Sequence, residues 1–258
     1  KSSEVEKCAA NGITEITEVQ VGFDGIVMAN SAEEGADFAL TRKQIFLALA
    51  KDVPDADGNM VPNPYTKWSE IDASLPDQEI EVLGPPPTSG TRDAFVELAL
   101  EGGCKKFDFI KAMKKTDKKA YKGICHTIRE DGAWVDAGEN DVLIVNKLVA
   151  NSNAVGVFGY SFLEQNADKV KAATIGGVAP EFELIASGDY PVSRGLYFYV
   201  KNAHVGVIPG VAEYVAEFVS EGASGQEGYL VDKGLIPLAE DAHAAMAAQA
   251  NALTPMSK

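Results

Sequence analysis

Cysteine and histidine are scarce, with three of each in 258 residues. Cys8, Cys104 and Cys125 form no C-x-x-C pair, and His126, His204 and His243 lie far apart, so no metal-ligand spacing is present and no metal or other cofactor is expected. Positive charge is also short: 23 basic residues face 38 acidic ones, a net charge of −15. Nucleic-acid binding needs a basic footprint and is excluded as a partner class. Any anion bound here is held by local dipoles and one or two arginines, against an unfavourable global field. No run of 18 apolar residues occurs, so no segment reads as a membrane span. The opening Lys1-Ser2-Ser3-Glu4 carries no signal-peptide pattern. Two catalytic patterns are absent as well. Gly84 to Thr91 lacks the G-x-x-x-x-G-K-[ST] spacing and its phosphate-reaching lysine. Gly159-Tyr160-Ser161-Phe162 lacks the last glycine of a nucleophile elbow, because Leu163 stands there.

What is present is enough for a full core: 46% of the residues are hydrophobic, which suits one large domain or two lobes. The informative stretch is Glu79 to Glu101, EIEVLGPPPTSGTRDAFVELALE. Ile80 and Val82 alternate with Glu79 and Glu81 as in a half-buried strand. Gly84 and three prolines end it, and Ser89 stands where an N-cap would open a helix with Phe95 and Leu98 inside. Pro85, Pro86 and Pro87 have no N–H, so backbone donors begin at Thr88. From there Ser89, Gly90, Thr91 and Arg92 offer N–H groups, two hydroxyls and a guanidinium at a helix start, and Gly90 has no side chain to keep a ligand off the backbone. This suits a small tetrahedral oxyanion. A plain capped helix after a proline turn, with Arg92 and Asp93 solvated, fits the same residues.

Elsewhere, helix and strand signals alternate, which argues α/β with parallel pairing. Ser2 to Ala10 reads as a helix ended by Asn11-Gly12. Ile16 to Val21 and Gly25 to Asn30 read as two strands bent apart at Gly22-Phe23-Asp24-Gly25, with Asp24 solvated in a tight turn. Thr41 caps a helix, Lys51 to Lys67 is a polar loop, and two helices span Phe107 to Lys115 and Lys118 to Ile128. Val142 to Val149 is helical, Ala154 to Phe158 and Val170 to Ile175 are strands, and a helix runs from Pro180 to Ser187-Gly188. Leu196 to Lys201 is a strand; Val207, Val211, Tyr214, Val215 and Phe218 then mark one long amphipathic helix. Helices at Gln226 to Asp232 and Leu238 to Ala250 close the chain. Ser161 reads as a helix-start residue under Tyr160 and Phe162; a serine hydrolase using it is the rival function. Cys104 and Cys125 flank a lysine-rich helical segment and can close it as a disulfide, leaving Cys8 over.

Thr88-Ser89-Gly90-Thr91-Arg92-Asp93-Ala94-Phe95 resembles the phosphate-binding proteins of bacterial ABC phosphate transporters, which are type II periplasmic binding proteins. The resemblance continues through Ser3 to Cys8, Phe23 to Val27, Gly138-Glu139-Asn140-Asp141 and Gly159 to Phe162, then Ile185 to Arg194 and Tyr229 to Pro237. It implies two α/β lobes joined by two strand crossovers at Gly25 to Asn30 and Leu196 to Lys201, with phosphate held between them. Lobe one would comprise residues 1–30 and 195–258, and lobe two residues 31–194. In the family lobe one begins upstream of the position that Lys1 matches, with ligand contacts that have no counterpart in this chain, so the resemblance implies a lobe one incomplete at its N-terminus. Ser89, Gly90 and Thr91 match the family's S-G-T ligand positions. Some relatives place an arginine shortly before this motif; prolines stand there in this chain, leaving Arg92 or Arg129 to bring the positive charge, with Asn140 and Asp24 as further candidates. The implied function is non-enzymatic: capture of inorganic phosphate and delivery to the membrane permease of an ABC importer, by an exported monomer in the periplasm or lipid-anchored at the cell surface. Another tetrahedral oxyanion such as sulfate is the alternative ligand.

Overall fold

The computed structural model describes residues 2–256. Its strands are β1 (Ile16–Ser31), β2 (Ala39–Leu40), β3 (Asp52–Pro54), β4 (Met60–Pro62), β5 (Val82–Gly84), β6 (Trp134–Asp136), β7 (Val155–Gly159), β8 (Val170–Ala172), β9 (Thr174–Ile175) and β10 (Ser193–Lys201). The chain divides into two compact units. Unit one is Lys1–Asp24 with Arg194–Lys258, and unit two is Gly25–Ser193.

β1 is one uninterrupted strand, which corrects the expectation of two strands bent apart at Gly22-Phe23-Asp24-Gly25. The two glycines serve close approach, not a turn. A Cβ on Gly22 would collide with the Ile236 carbonyl oxygen, which accepts from the Phe23 N–H at 2.8 Å. A Cβ on Gly25 would collide with the Ile185 side chain. Asp24 is therefore extended backbone within a strand.

In unit two the second half of β1 pairs antiparallel with β7 on one side and with β8 on the other. β5 lies between β7 and β6 and is parallel to both. The Asp141–Ala150 helix covers this sheet, burying Ile144, Val145 and Leu148 with Val27, Ala29, Leu83 and Phe158. The two ends of the unit meet, since the Ile26 N–H donates to the Val192 carbonyl at 2.9 Å.

A second core in unit two is helical. Thr41 and Gln44 form a capping box over Arg42–Leu49. Helical backbone continues from Gly90–Phe95 through a π-helical stretch, Val96–Leu100, into Glu101–Cys104. Asp108–Thr116 and Lys118–Cys125 form a helix pair, and Phe46, Ile110 and Tyr121 pack around the Cys104–Cys125 disulfide. Its Cα atoms are 5.5 Å apart, and Cys8 remains a free thiol. The expected loop from Lys51 to Lys67 contains the antiparallel pair β3 and β4. Its turn is tied by Asp55, whose Oδ1 accepts from the N–H groups of Asp57 and Asn59.

In unit one β10 hydrogen-bonds to β1, and Val19, Val21 and Val200 cluster with Val215 and Ala250 of two helices, Val211–Phe218 and Glu240–Asn251, and with Val219, the C-cap of the first. The expected long helix through Val207 is shorter, because Gly206 and Gly210 take positive φ of 79° and 87° around Pro209. Helix then starts at Val211, and Val207 is exposed. The expected helix at Gln226 to Asp232 reduces to a 3-10 turn, Val231–Lys233, while a short helix forms earlier, at Glu221–Ser224.

Candidate functional site

β5, β6 and β7 run parallel, and each delivers the chain at its carboxyl end to a helix start. β5 leads through the prolines to Ser89 and the Gly90–Phe95 helix. β6 leads through Gly138-Glu139 to Asn140 and the Asp141–Ala150 helix. β7 leads through Gly159 to the Tyr160–Gln165 helix. Adjacent helix N-termini outside the carboxyl ends of parallel strands are where α/β sheets place ligands, and their dipoles and free N–H groups favour anions. The first two loops are joined directly: Thr88 Oγ1 donates to Glu139 Oε1 at 2.7 Å.

The local hydrogen bonds decide which donors remain. The Ser89 N–H donates to the Pro86 carbonyl at 3.0 Å, closing the proline turn. Ser89 Oγ accepts from the Thr91 N–H at 3.2 Å, so Ser89 caps the helix, and its carbonyl accepts from the Asp93 N–H. Two of the N–H groups expected to be open are thus engaged by the protein. Among the described residues, the N–H groups of Gly90 and Arg92 and the Thr91 hydroxyl meet no protein acceptor. Gly90 is exposed, and a Cβ there would meet no atom within 4 Å.

Arg92 is turned back toward the sheet. Its Nη1 lies 2.6 Å from Asp136 Oδ1 and 3.3 Å from the Pro85 carbonyl, and its guanidinium carbon sits 5.1 Å from the Trp134 ring centre. Trp134 Nε1 donates to the same Asp136 oxygen at 2.9 Å. The indole crosses β5 where Gly84 leaves room, since a Cβ on Gly84 would run into the ring. Arg92 therefore ties the proline loop to β6, and its charge is matched by Asp136.

The remaining candidates are placed as follows. Asn140 caps the neighbouring helix, its Oδ1 accepting from the Val142 N–H at 3.0 Å. Arg129 is buried, with Nε 2.8 Å from Asp131 Oδ1 and Nη1 donating to the carbonyls of Tyr65 at 2.8 Å and Ala48 at 3.2 Å. It fastens the end of the Arg42–Leu49 helix. Asp24 belongs to unit one, its Oδ2 3.6 Å from Arg194 Nη2. Burial pushes its carboxyl above the usual range, and the charge and hydrogen bond of Arg194 pull it back only in part. Ser89 to Arg92 and Asn140 thus share one edge of unit two; Arg129 is occupied with protein groups. Trp134 and Asp136, which frame this edge with Glu139, carry no signal in the sequence, because Trp134-Val135-Asp136 shows no alternation.

A histidine does meet a serine in this chain, but not at Ser161. In unit one Ser224 Oγ lies 3.0 Å from His243 Nε2, and His243 Nδ1 lies 3.1 Å from Glu221. Ser224 is fully buried, so no substrate reaches it, and the three side chains serve to join the Glu221–Ser224 and Glu240–Asn251 helices. His126, the histidine of unit two, is engaged with Glu101 at 2.8 Å.

Comparison with known proteins agrees with this architecture. The model of the PBP superfamily domain matches residues 1–222. The phosphate-binding protein PstS of Staphylococcus epidermidis is 28% identical over 207 residues, covering 78% of this chain and 51% of the relative, so the chain spans about half of that protein's length. PstS of Bacillus subtilis is 27% identical over 247 residues, covering 90% of this chain and 69% of the relative. Among solved structures, a possible phosphate binding protein from Planctomyces limnophilus superposes with a TM-score of 0.66 at 26% identity, covering 98% of this chain and 78% of its own. An ABC-type phosphate transport receptor from Vibrio cholerae shares the fold, with a TM-score of 0.56 at 18% identity over 86% of this chain and 72% of its own. The chain thus has a mixed α/β fold of the type II periplasmic binding protein kind and belongs to the PBP superfamily, with PstS phosphate-binding proteins among its distant relatives.

Proposed function

We propose that this chain is a phosphate-binding component of an ABC importer, working outside the cytoplasm, which holds inorganic phosphate at the Ser89–Arg92 helix start and hands it to a membrane permease. The observation that carries the reading is the helix start itself: the Gly90 and Arg92 N–H groups and the Thr91 hydroxyl stand without acceptors among the described residues, beside an open glycine at the carboxyl end of a parallel strand. The names of the relatives supply the ligand and the transporter. The Cys104–Cys125 disulfide suits an oxidising compartment. In this reading Arg92 and Asn140 position the two helix starts, and binding rests on dipoles and hydrogen bonds without a free guanidinium.

Calorimetry with inorganic phosphate, and with sulfate as competitor, tests the site. Thr91→Val keeps the shape and removes one hydroxyl, and should weaken binding by about 1.5–3 kcal/mol. Gly90→Ala adds a methyl group that meets no protein atom, so it should leave stability unchanged while weakening phosphate binding more than Thr91→Val does. If both variants bind phosphate like the parent, the site lies elsewhere; if sulfate displaces phosphate at equal concentration, the ligand assignment is wrong.

A further inference from the structure

Against the acidic whole, residues 105–122 carry eight lysines and two aspartates. Part of this charge lines a cleft of about 550 Å³ in unit two, walled by Arg42, Glu97, Lys105, Lys106, Asp108 and Lys111. Arg42 is fixed from behind: its Nη1 donates to the Leu98 carbonyl at 3.3 Å, and Gly102 lets its side chain lie so close that a Cβ there would be 2.8 Å from Arg42 Cδ. Lys105 is matched by Glu101 at 2.7 Å. Lys106 and Lys111 have no ion-pair partner among the described residues. The wall behind them is held by the Cys104–Cys125 disulfide and by Glu101, which also engages Lys114, Tyr121 and His126. Three cations, one of them immobilised, thus face a cleft large enough for an organic molecule, in a protein whose overall field repels anions.

We propose that this cleft is a second ligand site, separate from the Ser89–Arg92 helix start, for a phosphorylated polyol. A phosphate ester takes the donors of Arg42, Lys106 and Lys111. The carboxylate of Asp108 accepts from a hydroxyl group, as a bare oxyanion without protons to donate cannot use it. The same chemistry occurs in soluble sugar phosphates and in polyol headgroups of phospholipids.

The test uses the full chain with inorganic phosphate saturating in both solutions. Fructose 1,6-bisphosphate titrated calorimetrically, or phosphatidylglycerol vesicles in co-sedimentation, should reveal one additional site. Lys106→Gln with Lys111→Gln should weaken it at least tenfold and leave the thermal midpoint unchanged. Binding of the bisphosphate alone identifies a soluble ligand, and binding of the vesicles alone identifies a headgroup. The proposal is overturned if neither probe binds, or if the double variant binds like the parent. It is overturned equally if Lys118→Gln with Lys119→Gln, which removes the same charge away from the cleft, weakens binding as much.

Discussion

Single atoms decide much of how the candidate site is held. Gly84 has the Trp134 ring against its α-carbon, and that ring carries both Phe95, at 5.9 Å between centres, and the Arg92 guanidinium. Gly84→Ala should therefore destabilise the protein by about 1–3 kcal/mol, read from the denaturant midpoint, as an overpacked core does. An unchanged midpoint would mean that the indole is free to move aside. Glu101 shows the electrostatic counterpart. Burial pushes its carboxyl upward, but hydrogen bonds from Lys105, Lys114, His126 and Tyr121 outweigh this and hold it well below the usual carboxylate range. A carboxylate lowered in the folded state contributes stability that is complete above its unfolded value, about 4.3, and is lost as pH falls through the folded value. Glu101→Gln should cost about 2–3 kcal/mol at pH 7, and urea midpoints of parent and variant should draw together below about pH 4. A gap that stays constant to pH 3 would show that the carboxylate's charge contributes nothing.

Among elements, the segment closed by Cys104 and Cys125 is the most constrained. The bridge spans 21 residues and removes loop freedom from the unfolded chain, worth about 3 kcal/mol on the chain-entropy account. Reduction, or Cys104→Ala with Cys125→Ala, should lower the unfolding free energy by that amount, with the loss seen first as faster amide exchange in the Asp108–Thr116 and Lys118–Cys125 helices. Legibility from sequence followed the same lines. Ser89, Thr41 and the cysteine pair carry local chemistry, a cap or a bridge, and their elements were readable. β1 was not, because Gly22 and Gly25 answer to Ile236 and Ile185, neighbours far away in the chain. β6 was hidden because its three residues are too short for a period to register. The Val211–Phe218 helix was overdrawn because the apolar spacing extends back through two left-handed glycines that helical backbone does not tolerate. At the site, the helix start was visible but the turning of Arg92 toward Asp136 was not, since it depends on a strand that the pattern concealed.

For the whole molecule, the charge of −15 opposes the approach of the proposed ligand, while the helix start offers dipoles and no unmatched arginine. Added salt should then raise the association rate of phosphate, by screening the distant repulsion more than the local contacts. Stopped-flow measurements between low and physiological potassium chloride check this; a rate that falls would point to unmatched cations at the site.

The order of the chain has a kinetic meaning. Unit one is written in two pieces, and its joints reach across the inserted unit: Thr17 to Asn202 is a hydrogen bond over 185 residues. Closing so long a loop in an unfolded chain costs about 3 kcal/mol more than closing a hairpin. Unit two removes that cost if it folds first, since its own ends finish side by side at Ile26 and Val192. The insertion then acts as a template that presents β1 to β10. In pulse-labelled hydrogen exchange during refolding, amides of β5 and β7 should be protected before those of β10. Protection of β10 at the same time or earlier would show that the two ends find each other unaided.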